Sequence, residues 1–246
     1  MEYGEAMKKF RYNFFLYIIL SHQISYATDC HPKINPKLPQ YIVGYGSLMN
    51  EQSKRRTDPT AEANFPVYIS GYERSWSVHG NLPGLNTTFL SVFKNRLAAF
   101  NGVIHNLGNP KNIQQYDQRE SLYCREELST HQLKIYSGTL PSAKQIWIYT
   151  ALPKLNNPPT QEVPIVQSYV DTFMSGCIQI KENFNLNNFA EDCVKTTQQW
   201  STHWENDRIF PRRPFLHEPY AGQIDAILKK LLPEEFKQIQ YKSPVF

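Results

Sequence analysis

The hydrophobic pattern changes character at Asn156-Asn157-Pro158-Pro159, and that change restricts the chain to a fold in which sheet and helices are segregated. Before the break, short apolar or alternating runs occupy 41–45, 66–79, 87–93, 97–107, 132–137 and 145–151. Asp58-Pro59, Asn81-Leu82-Pro83-Gly84, Gly108-Asn109-Pro110 and Ser137-Gly138 punctuate them. Strands with turns at this spacing predict a small mixed β-barrel. A short helix is expected over 111–120, capped by Asn109 with Pro110 at its first position. After the break, Val166, Tyr169, Val170, Phe173, Met174 and Cys177 recur at helical spacing and form one apolar stripe. Leu186, Phe189, Cys193, Trp200 and Trp204 fall in step as a second helix, capped by Asn187 or Asn188. A third runs from about Ala221 to Leu232 and stops at Pro233. The expectation is one α+β domain over 28–246, with a barrel core over 39–151 flanked by the helices of an extension over 160–246.

The first 27 residues have the order of an export signal. Lys8, Lys9 and Arg11 precede Phe14-Phe15-Leu16-Tyr17-Ile18-Ile19-Leu20, and Ser25-Tyr26-Ala27 supplies small residues for a cut after Ala27. The apolar run is shorter than the ~20 residues that a spanning helix needs. An uncleaved amphipathic or buried segment is the competing reading. Export predicts a mature chain with no membrane association, in the periplasm or outside the cell. It also opens the four cysteines, Cys30, Cys124, Cys177 and Cys193, to disulfide pairing. Cys177 and Cys193 fall on apolar helix faces, where a bridge and two buried thiols are both open readings. No Cys-x-x-Cys pair is present and no His stands at ligand spacing from a Cys, which argues against zinc.

Charge excludes another class. The formal net charge is +4 over 246 residues, with no dense Lys/Arg stripe interleaved with aromatics, so no nucleic-acid partner is expected. The aromatic and arginine-rich stretch from Trp200 to Pro214 reads as a salt-bridged segment packed on the barrel, with a substrate-covering lid as the alternative.

Two segments carry chemistry. The apolar strand Tyr41-Ile42-Val43 runs into Gly44-Tyr45-Gly46-Ser47-Leu48, a glycine turn whose backbone N–H groups can face an anion. No Gly-Lys-Ser/Thr follows, so it is not a Walker loop, and it lacks the third glycine of a dinucleotide fingerprint. Tyr116-Asp117-Gln118-Arg119-Glu120 then offers Glu120 in an aromatic and cationic setting. An anion cradle with one carboxylate suits chemistry on a small zwitterion.

The string GYGSLM after an apolar strand resembles the substrate-binding turn of the γ-glutamylcyclotransferase family. Gly71-Tyr72-Glu73-Arg74-Ser75-Trp76 is similar to the family's next strand, and Phe100-Asn101-Gly102-Val103-Ile104 to the strand before the catalytic segment. Asp117-Gln118-Arg119-Glu120 matches the Asp-x-Arg-Glu motif whose Glu is the family's acid/base. The agreement spans about residues 39–140; Ser121 and Leu122 depart from it, standing where many relatives carry glycines. The helical extension resembles one found in only some relatives.

The resemblance implies release of 5-oxoproline from a small-molecule γ-glutamyl compound, without cofactor, metal or enzyme nucleophile. Glu120 would move the protons. The backbone N–H groups of Tyr45, Gly46, Ser47 and Leu48 would hold the α-carboxylate with help from the Ser47 hydroxyl, and Tyr123 would lie near the substrate. Arg74 is expected to pair with a carboxylate, either of the substrate or in a structural bridge to Asp117 or a neighbour. Glu126 and Glu127 lie outside the motif and are expected to face solvent. A monomer or weak dimer is expected. Two other functions remain open: an exported binding protein that recognises a γ-glutamyl or amino-acid tip without turnover, and action on γ-glutamyl isopeptide links.

Overall fold

The computed structural model describes residues 30–82, 85–212 and 219–241; the expected leader, with its cut before Thr28, lies outside the described residues, as do Arg213 and Pro214. Side-chain alternation organises the first half. In β1 (Gln40–Gly44), Tyr41 and Val43 enter one apolar cluster and Ile42 enters another. A single turn of 3-10 helix (Ser47–Met49) leads into α1 (Glu51–Thr57), whose cap Asn50 accepts from the Ser53 N–H at 2.8 Å. The long strands β2 (Phe65–Leu82) and β3 (Leu85–Asn106) follow. Then come α2 (Ile113–Arg119), β4 (Tyr123–Glu127), β5 (Leu133–Ile135) and β6 (Gln145–Ala151). Asn109 caps the turn before α2, accepting from the Lys111 N–H, and Pro110 stands at its first position as expected.

The sheet is mixed, in the order β4-β6-β1-β3-β2-β5. β1 runs parallel to β6, with Tyr41 opposite Ile146, and antiparallel to β3, with Val43 opposite Ile104. One face of this sheet curls around Val67, Ile69, Phe100, Ile104, Ile146 and Ile148, a cluster whose buried members come from strands and the residues that flank them. That is the filled interior expected of a small barrel. The opposite face buries Trp147 and Tyr149 of β6 beneath Ile113 and Tyr116 of α2.

The second half is helical, as the pattern implied. After β7 (Ile165–Val166) come α3 (Gln167–Asn183), α4 (Phe189–Lys195), β8 (Thr197–Gln198), β9 (Trp204–Asn206), α5 (Ala221–Leu231), α6 (Pro233–Lys237) and β10 (Gln240–Tyr241). Fully buried Phe173 and Met174 of α3 pack in one cluster with Trp76, Leu90 and Val103 of the sheet. Each such burial contributes roughly 1.5–3 kcal/mol. Both disulfides form: Cys177–Cys193 joins α3 to α4, and Cys30–Cys124 joins the start of the described chain to β4. No described helix is long and apolar enough to cross a membrane.

Three expectations change. The runs at 87–93 and 97–107 are one strand, because the chain between Lys94 and Ala99 bulges opposite Gly71 without leaving its partner β2. The second helix stops at Lys195, well before Trp200 and Trp204. The Thr196 and Thr197 hydroxyls bond the carbonyls of Asp192 and Cys193, and Thr197 then pairs with β2. Finally β4 is a strand that the apolar runs did not mark, since Arg125, Glu126 and Glu127 fill much of it.

Gly176 decides how closely α3 approaches the segment after the glycine turn. A Cβ there would lie 2.5 Å from the Met49 carbonyl carbon and 2.6 Å from the Asn50 nitrogen, backbone atoms that cannot swing aside. Gly176→Ala is therefore expected to destabilise the fold by about 1–3 kcal/mol, read as a lower midpoint in urea with an unchanged slope. Gly222→Ala, where an added Cβ meets nothing within 4 Å, is the matched control.

Candidate functional site

The glycine turn is held by its carbonyls. The Tyr45 carbonyl accepts from Arg74 Nη1 at 3.4 Å, that of Gly46 from the Met49 N–H at 3.0 Å, and those of Leu48 and Met49 from Asn64 Nδ2 at 3.3 and 2.9 Å. With these acceptors committed, the Ser47 and Leu48 N–H groups stand at the open start of the 3-10 turn, where a short helix has no internal acceptor to offer. Space is tight at Gly46. A Cβ there would meet the Tyr169 hydroxyl at 2.9 Å. The Tyr45 hydroxyl donates to the Tyr149 carbonyl at 2.7 Å, locking the turn to β6.

Glu120 caps the C-terminus of α2, its N–H bonded to the Tyr116 carbonyl. Its side chain is largely buried, and Oε1 lies 3.2 Å from Arg119 Nε. The same guanidinium donates through Nη2 to Ser47 Oγ at 2.8 Å and Ser53 Oγ at 2.9 Å, and through Nη1 to the Ser53 carbonyl and Thr57 Oγ1. Glu120 and Ser47 are therefore separated by one guanidinium and two polar contacts. Electrostatics agree with that placement: burial, then the charge of Glu120, push the Tyr45 phenol well above its usual range. The phenols of Tyr149 and Tyr116 move the same way, burial again leading.

Asp117 sits behind Glu120. Its Oδ1 accepts from the Tyr149 hydroxyl at 2.7 Å and lies 3.0 Å from Arg125 Nε, with His31 Nε2 at 3.9 Å. Tyr123 is buried, and its hydroxyl donates to the Leu90 carbonyl at 3.0 Å, on the strand that also approaches Gly46. Ser121 and Leu122 are exposed just beyond Glu120.

Arg74 requires correction. It is fully buried and reaches neither Asp117 nor any other carboxylate; its donors go to Tyr45 O, Asn101 O and Oδ1, Cys193 O, and the Thr196 and Thr197 hydroxyls. Burial pulls its pKa down to about 9. It braces the turn from below. Glu126 also differs from expectation: it is half-buried, bonded by Thr150 and paired with Lys94 at 2.7 Å, whereas Glu127 is exposed. In the arginine-rich stretch, Arg208 pairs with Asp171 and Asp225, and Arg212 with Glu205, the salt-bridged arrangement anticipated there. Two residues near the turn escaped the sequence reading. Tyr169 was assigned only to the core stripe of α3, and Asn64 follows a loop without any motif. The described residues hold no cluster of three or more His, Cys, Asp or Glu suited to a metal.

The arrangement defines a class: an α+β protein in which one arginine joins a strand-end glycine turn to a helix-end carboxylate. Among solved structures, the chain is similar to a γ-glutamyl cyclotransferase at 14% identity and a TM-score of 0.49, covering 78% of this chain and 99% of that one. It is also similar to an uncharacterised protein from Homo sapiens, at 14% identity and a TM-score of 0.48, covering 77% and 97%. A third, a yeast γ-glutamyl cyclotransferase specific to glutathione, is 10% identical with a TM-score of 0.39, covering 64% and 97%. No family model and no curated relative matches the sequence. At these identities and scores the likenesses do not bear on chemistry, which must come from the residues.

His105 lies beneath this site, fully buried on β3, with Nε2 3.0 Å from the Tyr116 hydroxyl. Burial first, then the cations Lys54 and Arg119, hold its pKa well below the usual value of 6.5. The folded chain thus keeps His105 neutral at a pH where the unfolded chain protonates it. Stability contributed this way is complete above about pH 6.5 and is lost as pH falls below it, by about 1.4 kcal/mol per pH unit for one proton. His105→Gln should remove about that much from the slope of unfolding free energy between pH 6 and pH 5. Because the slope is the readout, a lower absolute stability does not obscure the comparison.

Proposed function

We propose that the protein is a γ-glutamylcyclotransferase-like enzyme that releases 5-oxoproline from a γ-glutamyl amino acid, peptide or amine. The observation that carries this reading is the link from Glu120 Oε1 through Arg119 to Ser47 Oγ, at 3.2 and 2.8 Å. It puts the only carboxylate of the motif's end beside the turn whose N–H groups suit an α-carboxylate. The same juxtaposition favours an enzyme over a binding protein built on the same pocket, since recognition alone does not require a proton carrier beside the cradle.

The chemistry asks little else of the protein. The substrate's α-ammonium gives a proton to the Glu120 carboxylate, and the freed amine attacks its own γ-carbonyl carbon. Closing a five-membered ring makes the step unimolecular, with a large effective molarity. The attacking nitrogen gives up its second proton as the C–N bond to the departing amine breaks, and that departing nitrogen takes both protons, one of them returned by Glu120, leaving as an ammonium beside 5-oxoproline. No net proton, electron or nucleophile is taken from the enzyme. Tyr45, Gly46, Ser47 and Leu48 supply the carboxylate clamp in this scheme, and Tyr123 borders it. Arg74 acts through the turn it braces.

Glu120→Gln keeps the shape and removes the titrating group, so 5-oxoproline release should fall by at least about a hundredfold. Substrate binding should survive, because the clamp lies in the backbone of the turn. Glu127→Gln, on an exposed side chain, should leave the rate within about twofold. Mass spectrometry of the products from a panel of γ-glutamyl amino acids, peptides and amines checks all three. A wild-type chain that binds members of the panel and releases nothing would leave the binding-protein function standing instead.

Export is proposed as well, with the two disulfides in keeping with an oxidising compartment. Intact-mass analysis of the exported fraction should give a chain beginning at Thr28; full-length protein in the membrane fraction would contradict it.

A further inference from the structure

Arg119 is a residue of the motif to which the proposed chemistry gives no task, and its surroundings account for every N–H of its guanidinium. Nε faces Glu120 Oε1 at 3.2 Å, Nη1 donates to the Ser53 carbonyl and Thr57 Oγ1 at 2.9 and 2.5 Å, and Nη2 donates to Ser47 Oγ and Ser53 Oγ at 2.8 and 2.9 Å. Such a group is not available to bind a substrate anion. Its acceptors lie on three separate pieces of chain: the end of α2, the glycine turn, and α1. The planar fork therefore transmits the position of one to the others, which a flexible ammonium cannot do.

Resting on the cyclotransferase reading above, we propose that Arg119 is a positioning residue that sets the geometry of both the proton carrier and the carboxylate clamp. Two chemical consequences follow. Holding Oε1 fixes the plane of the Glu120 carboxylate relative to the turn. Donating to Ser47 Oγ assigns that hydroxyl the role of acceptor towards Arg119, so that its own hydrogen is directed away from the guanidinium, towards the place where the clamp would take an anion. Ser53 Oγ and the Ser53 carbonyl anchor the fork to α1, which Asn50 in turn ties to Ser175 of α3 at 2.9 Å. The orientation of Glu120 is thereby referred to the helical half of the molecule.

The test uses Arg119→Met and Arg119→Lys in the full chain, with two independent readouts. In turnover, kcat should fall on the order of a hundredfold, the penalty for about 1 Å of misplacement, and KM should rise. Ser47→Ala should raise KM in the wild-type background and add nothing in the Arg119→Met background, because the hydroxyl it removes has already lost its orientation. Arg119→Lys should remain impaired although the charge is retained. Independently of any activity, amide hydrogen exchange over residues 44–49 and 119–123 should accelerate in both variants. If Arg119→Met does not fold, Arg119→Lys carries the same measurements. Wild-type kcat in either folded variant, an additive effect of Ser47→Ala, or unchanged exchange in both segments would each overturn the proposal. A wild-type chain that releases no 5-oxoproline would end the catalytic reading, and the exchange measurement would still decide whether Arg119 holds the two segments together.

Discussion

A buried guanidinium without a carboxylate partner holds this molecule together. Arg74 reaches from β2 to the Asn101 carbonyl on β3, the Tyr45 carbonyl in the glycine turn, the Cys193 carbonyl in α4, and the hydroxyls of Thr196 and Thr197. Phe100 and Phe173 cover it, with ring centroids 5.2 and 4.9 Å from the guanidinium carbon. Moving a cation into such a place costs several kcal/mol, and only a full set of acceptors offsets that. Those acceptors exist only when the sheet, the turn and the C-terminal helices are all in place. The two halves that differ so clearly in sequence pattern are thus joined by this side chain as well as by their shared apolar cluster, and the Cys177–Cys193 bridge secures the helix pair that supplies part of its shell.

The same accounting shapes the site. Arg74 and Asn64 take the carbonyls of the turn, at Tyr45, Leu48 and Met49. Gly46 leaves room for the Tyr169 hydroxyl, and Gly176 lets α3 lie against the Met49–Asn50 backbone. Each glycine removes a side chain where a neighbour's atoms already stand. The helical extension is therefore part of the wall around the turn, and its contacts there depend on two missing methyl groups.

Much of the architecture was readable beforehand where a pattern repeats. The apolar runs of β1 and β6 marked the strands, and the Asn109-Pro110 turn before α2 and the stripe of α3 emerged as drawn from sequence. Failures occurred where long-range partners overrode local pattern. Trp200 and Trp204 keep a helical spacing, yet Gln199 has φ +61° and Thr197 joins β2, so the spacing was coincidence. β4 carries charged residues because Glu126 finds Lys94 and Arg125 finds Asp117. For Arg74, the motif correctly marked its position and misassigned its partners: sequence suggests a carboxylate, and only the fold supplies six neutral oxygens instead.

The placement of Glu120 on a helix of seven residues is the feature that most needs explaining. A helix this short is marginal in water and has no fixed direction of its own. Its direction comes from outside, residue by residue. Tyr116 meets His105 on β3, Asp117 meets Tyr149 on β6 and Arg125 on β4, and Arg119 meets α1 and the glycine turn. Cys124 follows closely, bonded to Cys30, whose own carbonyl accepts from the Arg125 N–H while that of Pro32 accepts from Arg125 Nη2. Successive side chains thus tie one short helix to three strands, another helix, the turn and the stapled start of the described chain. With so many independent anchors a carboxylate at its end is held in one place by the fold itself, which is what the proton transfers proposed for Glu120 require.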